Sequence, residues 1–109
     1  MTQRSEQLSS LVHHNLNDIF IREVEFPLGT LATVTKVEVT PDLSWAMIHL
    51  SILPISKQGT VLKKISHQQR RIQHSLNKTL HLRKFPQLRF KIDDTELQSR
   101  KIDRELEKD

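Results

Sequence analysis

Three histidines, His67, His74 and His81, fall at intervals of seven, which sets them on one side of any helix that carries them. Imidazole ligates metals and titrates near neutrality, so two chemistries come into question. Ligation fails on distance. At a rise of about 1.5 Å per residue, neighbours in the series stand roughly 10 Å apart, and an ion with ligand bonds near ~2 Å cannot join them. The three are left as groups that tune surface charge with pH. His14 could pair with Asp18 one turn on, while His13 points another way on the same helix, and both read as surface decoration. Ser, His and Asp all occur, but nothing resembles a nucleophile elbow. Asp93 and Asp94 adjoin at the end of a strand pattern, where carboxylates usually cap the following turn. Gly29 and Gly59 stand alone, so there is no glycine-rich phosphate loop. The expectation is a protein with no catalytic residues, no metal, no cofactor and no small-molecule substrate.

Charge is the stronger signal. The stretch "KKISHQQRRIQHSLNKTLHLRK", residues 63–84, has Lys, Arg or His at ten of 22 positions and neither Asp nor Glu. A solvated helix usually mixes signs, because Glu and Lys one turn apart support each other by a few tenths of a kcal/mol. The formal charge of +4 conceals the asymmetry: residues 43–92 hold ten Lys or Arg and no acid, and the two flanks are each net −3. Such a block sets up a positive field that attracts polyanions. The cations of residues 43–92 are expected to gather on one exposed wall backed by hydrocarbon.

With 109 residues the chain suits one domain with a core of its own. It has no cysteine, hence no disulfide framework and no thiolate ligand. The polar opening "MTQRSEQLSS" and the lack of any long apolar run argue against a secretory signal and a membrane span. A cytoplasmic protein with no membrane partner is expected.

The elements that would carry these residues follow from periodicity. Leu8, Leu11, Val12, Leu16, Ile19 and Phe20 recur at three- and four-residue steps, one stripe of an amphipathic helix, which "FPLG" at 26–29 ends. Val37 and Val39 alternate with polar residues, as do Ala46, Ile48, Leu50 and Ile52. Between these strands "TPDLS" carries Pro and Asp suited to a turn, which predicts a hairpin. From Val61 to Leu80 the period is helical again. Val61, Leu62, Ile65, Ile72, Leu76, Thr79 and Leu80 share one face, and the cations and histidines lie opposite. Leu88, Phe90 and Ile92 then alternate in a third strand that opens at Pro86. Helices packed on one face of a three-stranded sheet make an α+β domain. Residues 1–95 are expected to form it, and residues 96–109, with few apolar anchors, a charged tail that is frayed helix or disordered. Phe20 and Phe90 fall on apolar stripes, and the chain lacks the series of exposed rings that a single-strand stacking platform uses. Contact between basic side chains and the phosphates of folded RNA is the expected mode.

Two segments carry a family resemblance. "REVEFPLGTLATVTKVEVTPDLSWAMIHLSIL" resembles the helix exit, first strand, turn signature and second strand of ribosome-binding factor A, with Thr40, Asp42 and Leu43 at the turn. "LHLRKFPQLRFKID" resembles that family's L-R-x-x-P-x-L-x-F-x-x-D segment through Leu82, Arg83, Pro86, Leu88, Phe90 and Asp93. The resemblance spans about the first 95 residues. It implies a type II KH-like fold, α-β-β-α-α-β. It also implies a small-subunit assembly factor that binds 16S rRNA in free or immature 30S subunits near the neck, assists late maturation and end-processing, and has no catalytic activity. The family breaks its central helical region at an A-x-G site, where this chain has Gln68, Gln69 and Arg70, and Gln73 stands where Arg is common. Local sequence predicts no kink there.

The residues expected to contact RNA phosphates are Lys64, Arg70, Arg71, Lys78, Arg83 and Lys84, with Lys36 and Lys63 added. A monomer is expected. The competing reading is a general polyanion-binding or protein-interaction module that uses the same field without ribosomal specificity.

Overall fold

The computed structural model describes residues 3–82 and 85–93. A first helix, α1 (Gln3–Arg22), leads into strands β1 (Leu31–Val39) and β2 (Trp45–Leu53). A short 3-10 turn, Ile55–Lys57, precedes helices α2 (Gln58–His67) and α3 (Gln69–Thr79), and strand β3 (Gln87–Ile92) follows. This is the α-β-β-α-α-β order of a type II KH-like fold. The sheet runs β1-β2-β3, antiparallel between the first pair and parallel between the second. The parallel pairing requires a crossover, and α2 and α3 provide it.

Hydrocarbon explains which face each element buries. Leu8, Val12, Leu16, Ile19 and Phe20 of α1 are buried, and Leu11 stays half-exposed at the margin of that stripe. Ala46, Ile48, Leu50 and Ile52 of β2 meet them from the sheet, with Val61, Ile65, Ile72 and Leu76 of α2 and α3 completing one core. Each such aliphatic side chain contributes about 1.5–3 kcal/mol by leaving water. Phe20 sits 5.9 Å from Phe26 and 6.2 Å from Phe90, centroid to centroid.

Strand β1 departs from simple alternation. Ala32 and Val34 face the core, and so do Val37 and Val39, because the register slips between Val34 and Lys36. One extra residue, a β-bulge at Thr35, turns the side chains over. Thr35 Oγ1 donates to the Asp93 carboxylate at 2.8 Å, which ties the end of β3 to the bulge; the turn that Asp93 and Asp94 are expected to cap lies outside the described residues.

The turn between β1 and β2 is built as its residues predict. Asp42 Oδ1 accepts from the Thr40 hydroxyl at 2.6 Å and from Ser44 N at 3.2 Å. Leu43 adopts φ +62°, a left-handed conformation that costs a branched residue about 1 kcal/mol or more. Its side chain packs against the core, which offsets that strain.

Both edges of the three-stranded sheet are closed by amide side chains. On β1, Asn17 Oδ1 accepts from Val34 N at 3.0 Å, Asn17 Nδ2 donates to Val34 O at 3.3 Å, and His13 Nε2 lies 2.9 Å from the same carbonyl. His13 is therefore a structural residue, not surface decoration. On β3, Gln73 Oε1 accepts from Leu88 N at 3.2 Å, and Gln73 Nε2 and Gln69 Nε2 donate to Pro86 O and Leu88 O. These contacts satisfy groups that would otherwise template pairing with another chain. Replacing Asn17 by Ala is expected to cost about 1–3 kcal/mol, because the buried Val34 N–H loses its partner. Urea unfolding reads this directly, and an unchanged midpoint would show that water takes the amide's place.

The central helical region breaks at Gln68, which leaves the helix at φ −100°, ψ 9°. Gln68 N turns to Ile65 O at 3.0 Å, a 3-10 bond that releases Lys64 O, and Gln68 Nε2 returns to that carbonyl at 3.1 Å. The same side chain pairs both backbone groups of Glu25, with Oε1 accepting from Glu25 N at 3.3 Å and Nε2 donating to Glu25 O at 3.2 Å. A glutamine amide thus does by hydrogen bonding what a glycine would permit by lacking a side chain.

Candidate nucleic-acid interface

Helices α2 and α3 bury Val61, Ile65, Ile72 and Leu76 and turn everything charged outward. Lys63, Lys64 and His67 on α2 are exposed, as are Arg70, Arg71, His74 and Lys78 on α3 and His81 beyond it. Among the described residues, none of these five Lys and Arg side chains has a carboxylate partner. Exposed cations without such a partner gather solvent counterions, which a polyanion can displace.

The cations occupy two flanks of α3. On the side facing β3, His67, Arg70 and His74 line an open groove of about 770 Å³ together with Gln69, Gln73 and Phe85. On the other side Lys78 lies toward α1, and Arg71, seven residues earlier, shares its side of the helix by periodicity. Lys78 there shares a crevice of about 240 Å³ with Arg22 and Glu23. Arg22 donates to the Asp18 carboxylate at 2.7 Å, so Asp18 is held by Arg22 and not by His14. Arg22 was invisible to a reading of the acid-free block, because it reaches this surface only through the pairing of α1 with α3.

Arg70 and Arg71 stand in the first turn of α3, whose N-terminus has no side-chain cap and no acid. Helix N-termini favour anions through their free N–H groups and dipole. Two guanidinium groups there oppose the dipole in the free protein and add to it once a phosphate arrives.

Lys36 lies elsewhere. It projects from β1 on the sheet face away from the helices and pairs with Glu38 at 2.7 Å. The hydrogen bond and charge of the Glu38 carboxylate raise the Lys36 ammonium above its ordinary pKa, and the Lys36 hydrogen bond lowers the Glu38 carboxyl. Arg89 and Lys91 share that outer face, since they alternate with Leu88, Phe90 and Ile92. The expected single wall therefore holds for α2 and α3 and not for the cations of β3. Arg83, Lys84 and the tail from residue 96 lie outside the described residues. Among the described residues, no group of three His, Cys, Asp or Glu side chains is placed to hold a metal ion, and no helix is long and apolar enough to cross a membrane.

Comparison with known proteins agrees with this architecture. A protein from Christiangramia forsetii named ribosome-binding factor A is 37% identical over 98 residues, covering 86% of this chain and 75% of that protein. A Flavobacterium johnsoniae protein of the same name is 37% identical over 109 residues, covering 96% and 84%. The crystal structure of ribosome-binding factor A from Thermus thermophilus superposes with a TM-score of 0.71 at 20% identity, over 81% of this chain and 94% of that one. A homology model of the Thermus factor, fitted into a cryo-EM map of its complex with the 30S subunit, gives a TM-score of 0.64 at 22% identity, over 86% and 96%. The family model for ribosome-binding factor A matches residues 4–106, and this chain belongs to that family.

Proposed function

We propose that this protein is a small-subunit assembly factor. It binds 16S rRNA in free or immature 30S subunits through the basic side of α2 and α3, and it assists late maturation and rRNA processing without catalysis of its own. The observation that carries the reading is the run of exposed cations, Lys63, Lys64, Arg70, Arg71 and Lys78, without a carboxylate partner among the described residues. The related Thermus factor, placed in a 30S complex, supports the choice of partner. Arg83 and Lys84 extend the same basic segment in sequence and join the proposed contacts. Lys36, committed to Glu38 on the opposite sheet face, contributes there the least. The functional unit is residues 1–95, acting as a cytoplasmic monomer.

Sedimentation of a cell lysate tests this. The protein should travel with free small subunits in preference to assembled ribosomes and to bulk RNA. Equal partition among the three would favour a general polyanion binder, because charge alone does not discriminate between phosphate backbones.

A further inference from the structure

The helices cover one face of the sheet, and among the described residues no element covers the other. On that outer face the side chain of Trp45 is 42% exposed. The Arg89 guanidinium lies over its ring at 4.9 Å from the centroid. Lys91, two residues further along β3, faces the same way, and neither cation has a carboxylate partner among the described residues. Two acids stand at this surface: Glu38, which lines the same depression, is engaged by Lys36, and Asp93 accepts from Thr35. Trp45, Met47, His49, Arg89 and Lys91 line an open depression of about 800 Å³.

We propose that this outer sheet face is a second RNA-contacting surface, separate from the helical one, on which an unpaired nucleobase stacks against Trp45 while the adjoining phosphates meet Arg89 and Lys91. Three features point to nucleic acid. An indole offers a base an apolar plane of matching shape, and such stacking tolerates any base because each has a π-face. The Arg89 guanidinium over one face of the ring fixes the indole by cation–π attraction, and the base would take ring surface that stays exposed. The half-buried thioether of Met47 supplies an adaptable apolar floor beside them. An acidic peptide would satisfy the two cations and leave the indole without a partner, whereas a single strand carries anion and ring together. One ring makes this a contact for a single flipped-out base, not a platform for a run of bases.

Trp45 is the only tryptophan in the chain, so intrinsic fluorescence reports on this face alone. The experiment titrates the full-length protein with oligo-adenylate of about eight nucleotides and, separately, with an abasic oligomer of the same length and charge. Both titrations are repeated in an Arg70→Glu/Arg71→Glu background. Oligo-adenylate should quench the emission in both proteins, and the abasic strand should leave it unchanged. Trp45→Leu should bind labelled oligo-adenylate about tenfold more weakly in anisotropy, with Trp45→Phe recovering part of the loss. Emission indifferent to oligo-adenylate, as for a face reserved for a protein partner, would overturn the proposal. So would equal quenching by the abasic strand, or quenching that vanishes in the charge-reversed background. Any of these leaves the helical interface untouched, because that interface is judged by subunit sedimentation.

Discussion

Replacing Arg70 and Arg71 together by Glu is expected to weaken binding to small ribosomal subunits by about tenfold or more near 0.1 M salt. The melting temperature should not fall. Both side chains are exposed at the first turn of α3 and pair with no carboxylate among the described residues, so the substitution breaks no ion pair there. Glutamate at a helix N-terminus is itself favourable by about 0.3–1 kcal/mol, which biases any shift toward greater stability. The salt dependence separates contact from repulsion. Each phosphate contact removed should lower the slope of log K against log salt by about 0.9, so the double alanine variant should lose nearly two units of slope. The glutamate variant should lose at least as much and bind more weakly still. Filter binding across a salt series measures both quantities, and an unaltered affinity would strike these two residues from the interface.

What could be read from the residues, and what could not, divides along a physical line. The apolar stripe of α1, the alternation in β2 and β3 and the Asp42 turn are local patterns, and each forms as its spacing predicts. The bulge at Thr35 was also written in the chain. Apolar residues occupy even positions at Ala32 and Val34 and odd ones at Val37 and Val39, a change of parity that only an extra residue resolves. That change also decides Lys36, which moves to the outer face and meets Glu38, two residues along the same side of the strand. The break at Gln68 was not legible. Helical phase runs through it unaltered, with Val61, Ile65, Ile72 and Leu76 all buried, and what holds the kink is an amide pair to Glu25, 43 residues away. The roles of Gln69 and Gln73 were hidden for the same reason, because their partners on β3 are set by tertiary placement. That α2 and α3 turn their cations outward could be read from type and spacing. Their division between the β3 side and the α1 side of α3 depends on which helix lies alongside.

Leu76→Ala should produce the largest loss of stability among single substitutions near the interface. The side chain is 0% exposed, seated under α3 in the core shared with α1 and the sheet. Truncation removes its transfer free energy and leaves a cavity, together about 2–5 kcal/mol. Against a total stability of roughly 5–15 kcal/mol for a domain of this size, the melting temperature should drop by about 10 °C or more. Leu28→Ala makes the same chemical change at a fully exposed loop position and should leave the transition within about 0.5 kcal/mol. The comparison bears on function because α3 carries Arg70, Arg71 and Lys78 on a helix anchored by Ile72 and Leu76. Below its lowered transition, Leu76→Ala should still bind subunits with the full salt slope, since every cation is retained. Its affinity should fall with the folded fraction as temperature rises, whereas the glutamate pair should bind poorly at all temperatures while fully folded. A Leu76→Ala protein that lost its salt slope while still folded would show that the cations act only when the core holds α3 rigid.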